Sequence, residues 1–424
     1  MEPWLVRAAR TRPDRLALVA GERQLTYAQL LASARAAAGG LRERGIGPGD
    51  HVALALASAE LVPVLHACLL LGAVAVPIDL RLGAQERAAR ERIARLVVRA
   101  PISGPAAAIE AAPPLHSPAT LMFTSGTTAA PKPVTLSYDN WRWNAIGSAL
   151  ALGLDPDERW LCPMPLAHVG GLSIQIRSAI YATGVVLQDA FDVPRALAAL
   201  MDPGERITLV SLVPTMLARL LDAGLREPPT LRRVLLGGGP IAPALLARAT
   251  RAGVDVAPSF GMTETCSQIA TDGVALFGSE LAVAADGELL VRGPAVARAA
   301  IAADGWLHTG DLAALDEHGR MTIVGRTADT IVTGGENVSP THVEAALLEH
   351  PAVLDAAVLG RADPEWGEAV VAQVVPRAGS RASAAELREH CAGRLAPFQV
   401  PKRIEFVDRL PRGVTGKLLR RELA

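Results

Sequence analysis

Four short segments carry side chains able to handle a phosphorylated substrate. The first is Thr124-Ser125-Gly126-Thr127-Thr128, with Pro131 and Lys132 shortly after and the apolar run TLMF directly before. Hydroxyl residues and a glycine at a strand end let backbone N–H groups surround a phosphate, and Lys132 adds positive charge. The Walker A pattern GxxxxGK[ST] is absent, so a Ser/Thr-rich surface turn is the competing reading. The second segment is Ser259-Phe260-Gly261-Met262-Thr263-Glu264-Thr265. A carboxylate beside hydroxyls and a Gly turn could hold a Mg²⁺ that bridges phosphate oxygens, although a lone Glu taken by itself favours an ordinary loop. The third is His308-Thr309-Gly310-Asp311, with Gly325-Arg326 downstream. Asp can accept two hydrogen bonds from a ribose diol and Arg can reach the same sugar, against the bland alternative of a turn Asp and a solvated Arg. The last is Pro411-Arg412-Gly413-Val414-Thr415-Gly416-Lys417 in a basic tail. Such a tail is usually a solvated face, yet a Gly-flanked Lys is suited to swing onto developing phosphate charge.

The elements that must position these segments alternate. Thr26 followed by Gln29 reads as a capping box opening a helix that ends near Gly45 to Gly49. HVALALA (51–57), a helix through Leu71 and AVAVPI then give strand, helix, strand, which implies a parallel sheet with a crossover. The Ala-, Arg- and Pro-rich stretch 84–118 signals weakly. TLMF reads as a strand, Asp139 and Asp192 as helix openers, and ITLVSLVP and RRVLLGGG as buried strands. Near Arg326 the units shorten. The fold expected is α/β, with a large N-terminal domain of sheets flanked by helices (1–325) and a small α+β C-terminal domain (326–424), the active site between them.

Composition bounds the function. A chain of 424 residues, half hydrophobic and 20% charged, has material for two or three compact units and argues against disorder. A formal net charge of -1 gives no support for a general nucleic-acid binder. Cys68, Cys162, Cys266 and Cys391 lie far apart, which disfavours a disulfide framework or structural zinc and suits a reducing cytoplasm. The apolar stretch from Leu61 to Ile78 contains Pro63, His66 and Pro77 and divides better into a helix and a strand than into a membrane span. The amino terminus lacks a secretory pattern.

Together and in this order, the four segments resemble the adenylate-forming superfamily of acyl-CoA synthetases, luciferases and peptide-synthetase adenylation domains. The resemblance covers essentially the whole chain, which is shorter than is usual for the superfamily. Its phosphate loop usually reads TSGTTGxPKG; here Ala129 and Pro133 replace two of the glycines. PLAHVGGLSIQIRSAIY (165–181), SFGMTETCSQIAT (259–271) and TADTIVTGGENVSPTHVE (327–344) are similar to the o-succinylbenzoate–CoA ligases of menaquinone biosynthesis.

The resemblance implies ATP, Mg²⁺ and coenzyme A, with a small carboxylic acid as substrate. The carboxylate attacks the α-phosphorus to give acyl-AMP and pyrophosphate, and the CoA thiol then displaces AMP. It assigns the phosphates to Thr124, Ser125, Gly126, Thr127, Thr128 and Lys132, Mg²⁺ to Glu264 and the α-phosphate to Thr263. The adenine would lie among Ser259, Phe260, Gly261 and Met262, beside Gly238, Gly239 and Pro240. Asp311 and Arg326 take the ribose. Lys417 serves only the first half-reaction, after which the small domain turns about Ala328 and brings Gly334 and Gly335 to the site for the thiol step. His168 would line the acyl pocket, and Arg177 would meet a second, non-reacting carboxylate, with a surface Arg capping a helix as its alternative. Competing functions are a CoA ligase for another small or aromatic acid, an adenylation enzyme feeding a carrier protein, and a silent nucleotide binder. A homo-oligomer stays open.

Overall fold

The computed structural model describes residues 2–109, 111–124, 132–380, 382–412 and 418–423. The capping box is present: the Thr26 hydroxyl accepts from the Gln29 N–H, and Gln29 accepts from the Thr26 N–H. That helix, Tyr27–Glu43, stops two residues short of Gly45, which turns the chain at φ +75°. Strand His51–Leu54 and strand Val74–Pro77 pair in parallel across helix Ser58–Leu71, as the alternation requires. Every residue of that helix from Leu61 to Leu71 is buried, which is why its composition mimics a membrane span. Gly72 ends it in the left-handed region at φ +72°. Among the described residues no helix is long and apolar enough to cross a membrane.

The weakly signalling stretch holds helix Ala84–Glu91 and strand Leu96–Val98. The helix buries no residue, so it has no apolar stripe to read. Helix Tyr138–Leu152 begins differently from expectation. Its cap is Ser137, whose hydroxyl accepts from the Asn140 N–H at 3.1 Å while Asn140 reaches back to the Ser137 N–H at 2.8 Å. Asp139 instead sits in the first turn, paired with Arg142 at 2.7 Å. Asp192 does cap Val193–Met201, accepting from the Arg195 N–H.

Four sheets organise the described residues. In the largest, strands Val256–Met262, Arg233–Leu236, Leu209–Leu212, Arg159–Cys162, Gly184–Leu187 and Leu16–Ala20 run parallel in that order. Ligands of open parallel sheets bind beyond the carboxyl ends of the strands. The Gly237–Pro240 turn and the 163–168 turn leave from those ends. A second sheet carries His51–Leu54 and Val74–Pro77 and finishes in an antiparallel hairpin of Pro118–Phe123 with Pro133–Ser137. The third is antiparallel and sets Asp311 directly opposite Arg326.

The fourth sheet joins Glu336–Val338, Ile331–Thr333, Gly367–Pro376 and Val353–Asp363, with Arg403–Phe406 alongside. It buries a core of its own, including Ile331, Val343, Leu347, Val358, Val370 and Leu387, separate from the clusters of the preceding chain. The architecture is α/β, a large N-terminal domain followed by a small C-terminal one.

Candidate active site

The phosphate segment spans the hairpin between Pro118–Phe123 and Pro133–Ser137. The Thr124 N–H donates to the Lys132 carbonyl at 3.0 Å, so these two residues face each other at its base, with Lys132 exposed. Ser125, Gly126, Thr127 and Thr128 lie outside the described residues, as does Lys417. Pro133 opens the second strand opposite Phe123, a position where a missing N–H is tolerated.

Ser259, Phe260, Gly261 and Met262 form the last part of strand Val256–Met262, and Thr263–Thr265 continue as one 3-10 turn. This turn is sharply built. A Cβ at Gly261 would lie 1.8 Å from the Ser267 carbonyl oxygen, so no other residue fits. Thr265 Oγ1 accepts from the Met262 N–H at 3.0 Å and donates to the Ser267 carbonyl at 2.9 Å. Cys266 and Ser267 take φ of +59° and +92°, strained values that persist only where the surroundings fix them. Glu264 is anchored through its backbone, whose carbonyl accepts from the Ala297 N–H at 2.7 Å. Its half-buried carboxylate has no hydrogen-bond or ion-pair partner among the described residues. An oxygen-rich group left open in this way fits a hard cation such as Mg²⁺.

Beside it, Gly238 follows strand Arg233–Leu236 at φ +78°, and Gly237 packs so tightly that a Cβ would meet the Ser259 carbonyl at 2.9 Å. Asp311 is buried, and Arg326 Nε donates to it at 2.6 Å. The neighbouring Glu288 accepts from the Gly310 N–H at 2.7 Å and from His308. Hydrogen bonds donated to the Asp304 and Glu288 carboxylates raise the His308 pKa above its ordinary value. Gly334 and Gly335, at φ +59° and +86°, form the two-residue turn between Ile331–Thr333 and Glu336–Val338. Positive φ at both positions is the type I′ hairpin geometry that Gly-Gly suits.

His168 precedes helix Val169–Tyr181 and meets Asp79 through Nε2 at 3.2 Å. Asp79 follows strand Val74–Pro77 and also accepts from Arg81 at 2.6 Å. Burial opposes ionisation of Asp79, but donors from Arg81 and His168 outweigh it and hold the carboxyl well below the usual range. Gly171 permits the tight entry into the helix, since a Cβ there would stand 2.5 Å from the Pro165 carbonyl oxygen.

Arg177 is fully buried on the same helix, which removes the surface-cap alternative. Its Nε and Nη2 donate to Asn144 Oδ1 at 3.0 and 2.6 Å, and its guanidinium lies 5.8 Å from the Trp160 ring centroid. Nη1 has no partner among the described residues. Burial lowers the Arg177 pKa from its ordinary value.

Sequence reasoning missed Asp79 and Asn144. Asp79 left a signal, a charged residue directly after the apolar strand AVAVPI. Asn144 left none, being one polar residue on a mixed helix.

Comparison with known proteins adds two family matches and full-length relatives. Residues 5–98 and 94–299 match the AMP-binding enzyme family, and residues 342–417 match the AMP-binding enzyme C-terminal domain. The chain is 38% identical to the 2-succinylbenzoate–CoA ligase of Bacillus licheniformis, over 99% of this chain and 98% of that protein. The structure resembles o-succinylbenzoate CoA synthetase from Bacillus subtilis in complex with the acyl-adenylate intermediate OSB-AMP. The TM-score is 0.89 at 35% identity, covering 100% of this chain and 98% of that one. A double mutant of the same Bacillus subtilis enzyme, bound to the product analogue OSB-NCoA, gives 0.71 at the same identity and coverage. Both halves of the chain thus match one family in sequence and in fold, and the protein belongs to the AMP-binding enzymes.

Proposed function

We propose that the protein is an ATP-dependent 2-succinylbenzoate–CoA ligase acting through acyl-AMP, with its place in menaquinone biosynthesis. The observation that carries this reading is the end-to-end similarity to curated ligases of that specificity. The buried Arg177 with an open Nη1 adds support, because a second carboxylate on the substrate is the natural partner for such a group.

The first half-reaction needs no protein nucleophile, so positioning and charge stabilisation carry it. In this reading the Thr124–Lys132 hairpin end and Lys417 face the phosphates, with Thr263 at the α-phosphate. Asp311 and Arg326 hold the ribose. The adenine packs on Phe260, beside Gly238, Gly239 and Pro240. Glu264 would hold Mg²⁺, which supplies neutralising charge at the phosphates. His168, fixed by Asp79, lines the acid pocket.

For the second half-reaction, residues 326–424 turn about Ala328 and present the Gly334–Gly335 turn. The higher TM-score with the adenylate-bound relative than with the one bound to the product analogue supports two orientations. In this reading the present arrangement is the adenylate-forming one. Cys68, Cys162, Cys266 and Cys391 are unbridged and buried, which supports a reducing compartment.

The test is mass detection of the CoA thioester after incubation with 2-succinylbenzoate, ATP, Mg²⁺ and CoA. Release of pyrophosphate with other small aromatic acids, and none with 2-succinylbenzoate, would replace this reading with the broader acyl-CoA ligase.

A further inference from the structure

Arg177 is held by an amide where an ion pair is the ordinary solution. Buried arginines are almost always paired with a carboxylate, because an isolated charge in the interior is costly. Here none of the described carboxylates pairs with it. Its only hydrogen-bond acceptor among the described residues is Asn144 Oδ1, which takes both Nε and Nη2. Tyr181 and Cys266 are the titratable groups that face it. Burial pushes the Tyr181 pKa up to about 12 and the Cys266 thiol well above its usual value, so both stay neutral. No carboxylate among the described residues compensates the guanidinium charge.

The orientation of Asn144 is fixed independently. It is fully buried, and its Nδ2 donates to the Gln268 carbonyl at 2.7 Å, so Oδ1 must be the end that faces Arg177. Gln268 lies on strand Ser267–Thr271, which follows directly from the Thr263–Thr265 turn carrying Glu264. One amide therefore ties the buried guanidinium to the strand behind the reaction centre.

We infer that Asn144 is a specificity-determining positioning residue, which holds Arg177 through a neutral acceptor so that its charge remains available to the second carboxylate of a diacid substrate. A carboxylate at the same place would orient the guanidinium equally well and also neutralise it. The amide orients without neutralising. This inference rests on the reading that Arg177 meets the non-reacting carboxylate.

The near-isosteric Asn144→Asp variant tests it. Two acids are compared: 2-succinylbenzoate, and 4-oxo-4-phenylbutanoate, the same skeleton without the ring carboxylate. Asn144→Asp should raise KM for the diacid roughly 10- to 100-fold, the scale of the charge contact it pre-empts, and leave the monoacid within about twofold. Asp also faces the Gln268 carbonyl without a donor, and any resulting distortion would penalise both acids alike. Equal losses for the two acids, or no loss for either, overturn the inference. Asn144→Ala, which deletes the acceptor without adding charge, should raise the diacid KM less than Asn144→Asp does; equal penalties overturn the charge argument. Arg177→Ala is run in parallel. Loss of diacid preference in Arg177→Ala with none in Asn144→Asp overturns the role of Asn144 alone, whereas equal treatment of the two acids by Arg177→Ala overturns the reading beneath it.

Discussion

In the proposed function Lys417 serves the chemistry and Arg177 the selection of substrate. Lys417 is the cation proposed for the α-phosphate, so Lys417→Ala should slow acyl-AMP formation by on the order of 10²-fold or more, the scale of losing one transition-state donor. Thioester formation from supplied acyl-AMP should persist. Single-turnover assays of the two halves check this, and equal loss in both would end the division of roles. Arg177→Ala should instead raise KM for 2-succinylbenzoate by a factor corresponding to roughly 2–5 kcal/mol, with a far smaller effect on a monocarboxylic analogue. Steady-state kinetics on the two acids decide. At this scale the sequence was legible where residues belong to a run, as with Asp311 and Arg326, which were grouped together and lie opposite each other. It was silent where a side chain acts across the fold, since Asn144 and Arg177 are 33 positions apart and meet only because two helices pack together.

The turn from Phe260 to Gln268 is the element most tightly specified. Gly261 has no room for a methyl group, and Cys266 and Ser267, directly after the Thr263–Thr265 turn, hold strained backbone angles. Gly261→Ala must therefore displace the Ser267 backbone and the Thr263–Thr265 turn with it. The expected outcome is a loss of roughly 2–4 kcal/mol in stability, within the range of severe single substitutions. Denaturant unfolding measures it, and a wild-type midpoint would show that the turn can open to admit a Cβ. Leu209–Leu212 and Arg233–Leu236 were readable as buried strands because each is an apolar run that ends at Pro or Gly, whereas the order of strands in the sheet left no local signal. The helix opened by Ser137 was misassigned to Asp139 because Ser, Asp and Asn all stand within four positions and each is a competent cap. Helix Ala84–Glu91 was unreadable for the opposite reason, since it buries no residue and so shows no apolar stripe.

For the whole molecule the proposed motion is rotation about Ala328. That residue is the middle of a single 3-10 turn, Thr327–Asp329, a conformation whose φ proline shares. Ala328→Pro should fix the present orientation. Pyrophosphate release and a burst of bound acyl-AMP should survive, while CoA-dependent consumption of acyl-AMP falls steeply. Proline disfavours helical geometry in the residue before it, so a thermal melt belongs beside the kinetics to register any cost at Thr327. Consumption at the wild-type rate would move the pivot elsewhere. The tail is bound to the same turn: Arg420 pairs with Asp329 at 3.1 Å and with the buried Glu344 at 2.8 Å.

Arg326 ends the strand that faces Asp311 and is also the residue from which the Thr327–Asp329 turn begins. The proposed ribose contact and the proposed pivot thus share one backbone unit, and thermodynamic reciprocity then applies. Whatever preference bound nucleotide has for one orientation, that orientation must show by the same factor for nucleotide. Locking the hinge with proline should consequently tighten AMP, measured by calorimetry, because the locked enzyme no longer visits the orientation from which AMP escapes. An unchanged dissociation constant would mean that the ribose contact is indifferent to the hinge. In the proposed cycle, departure of the spent nucleotide would be the event that resets the domain for the next ATP.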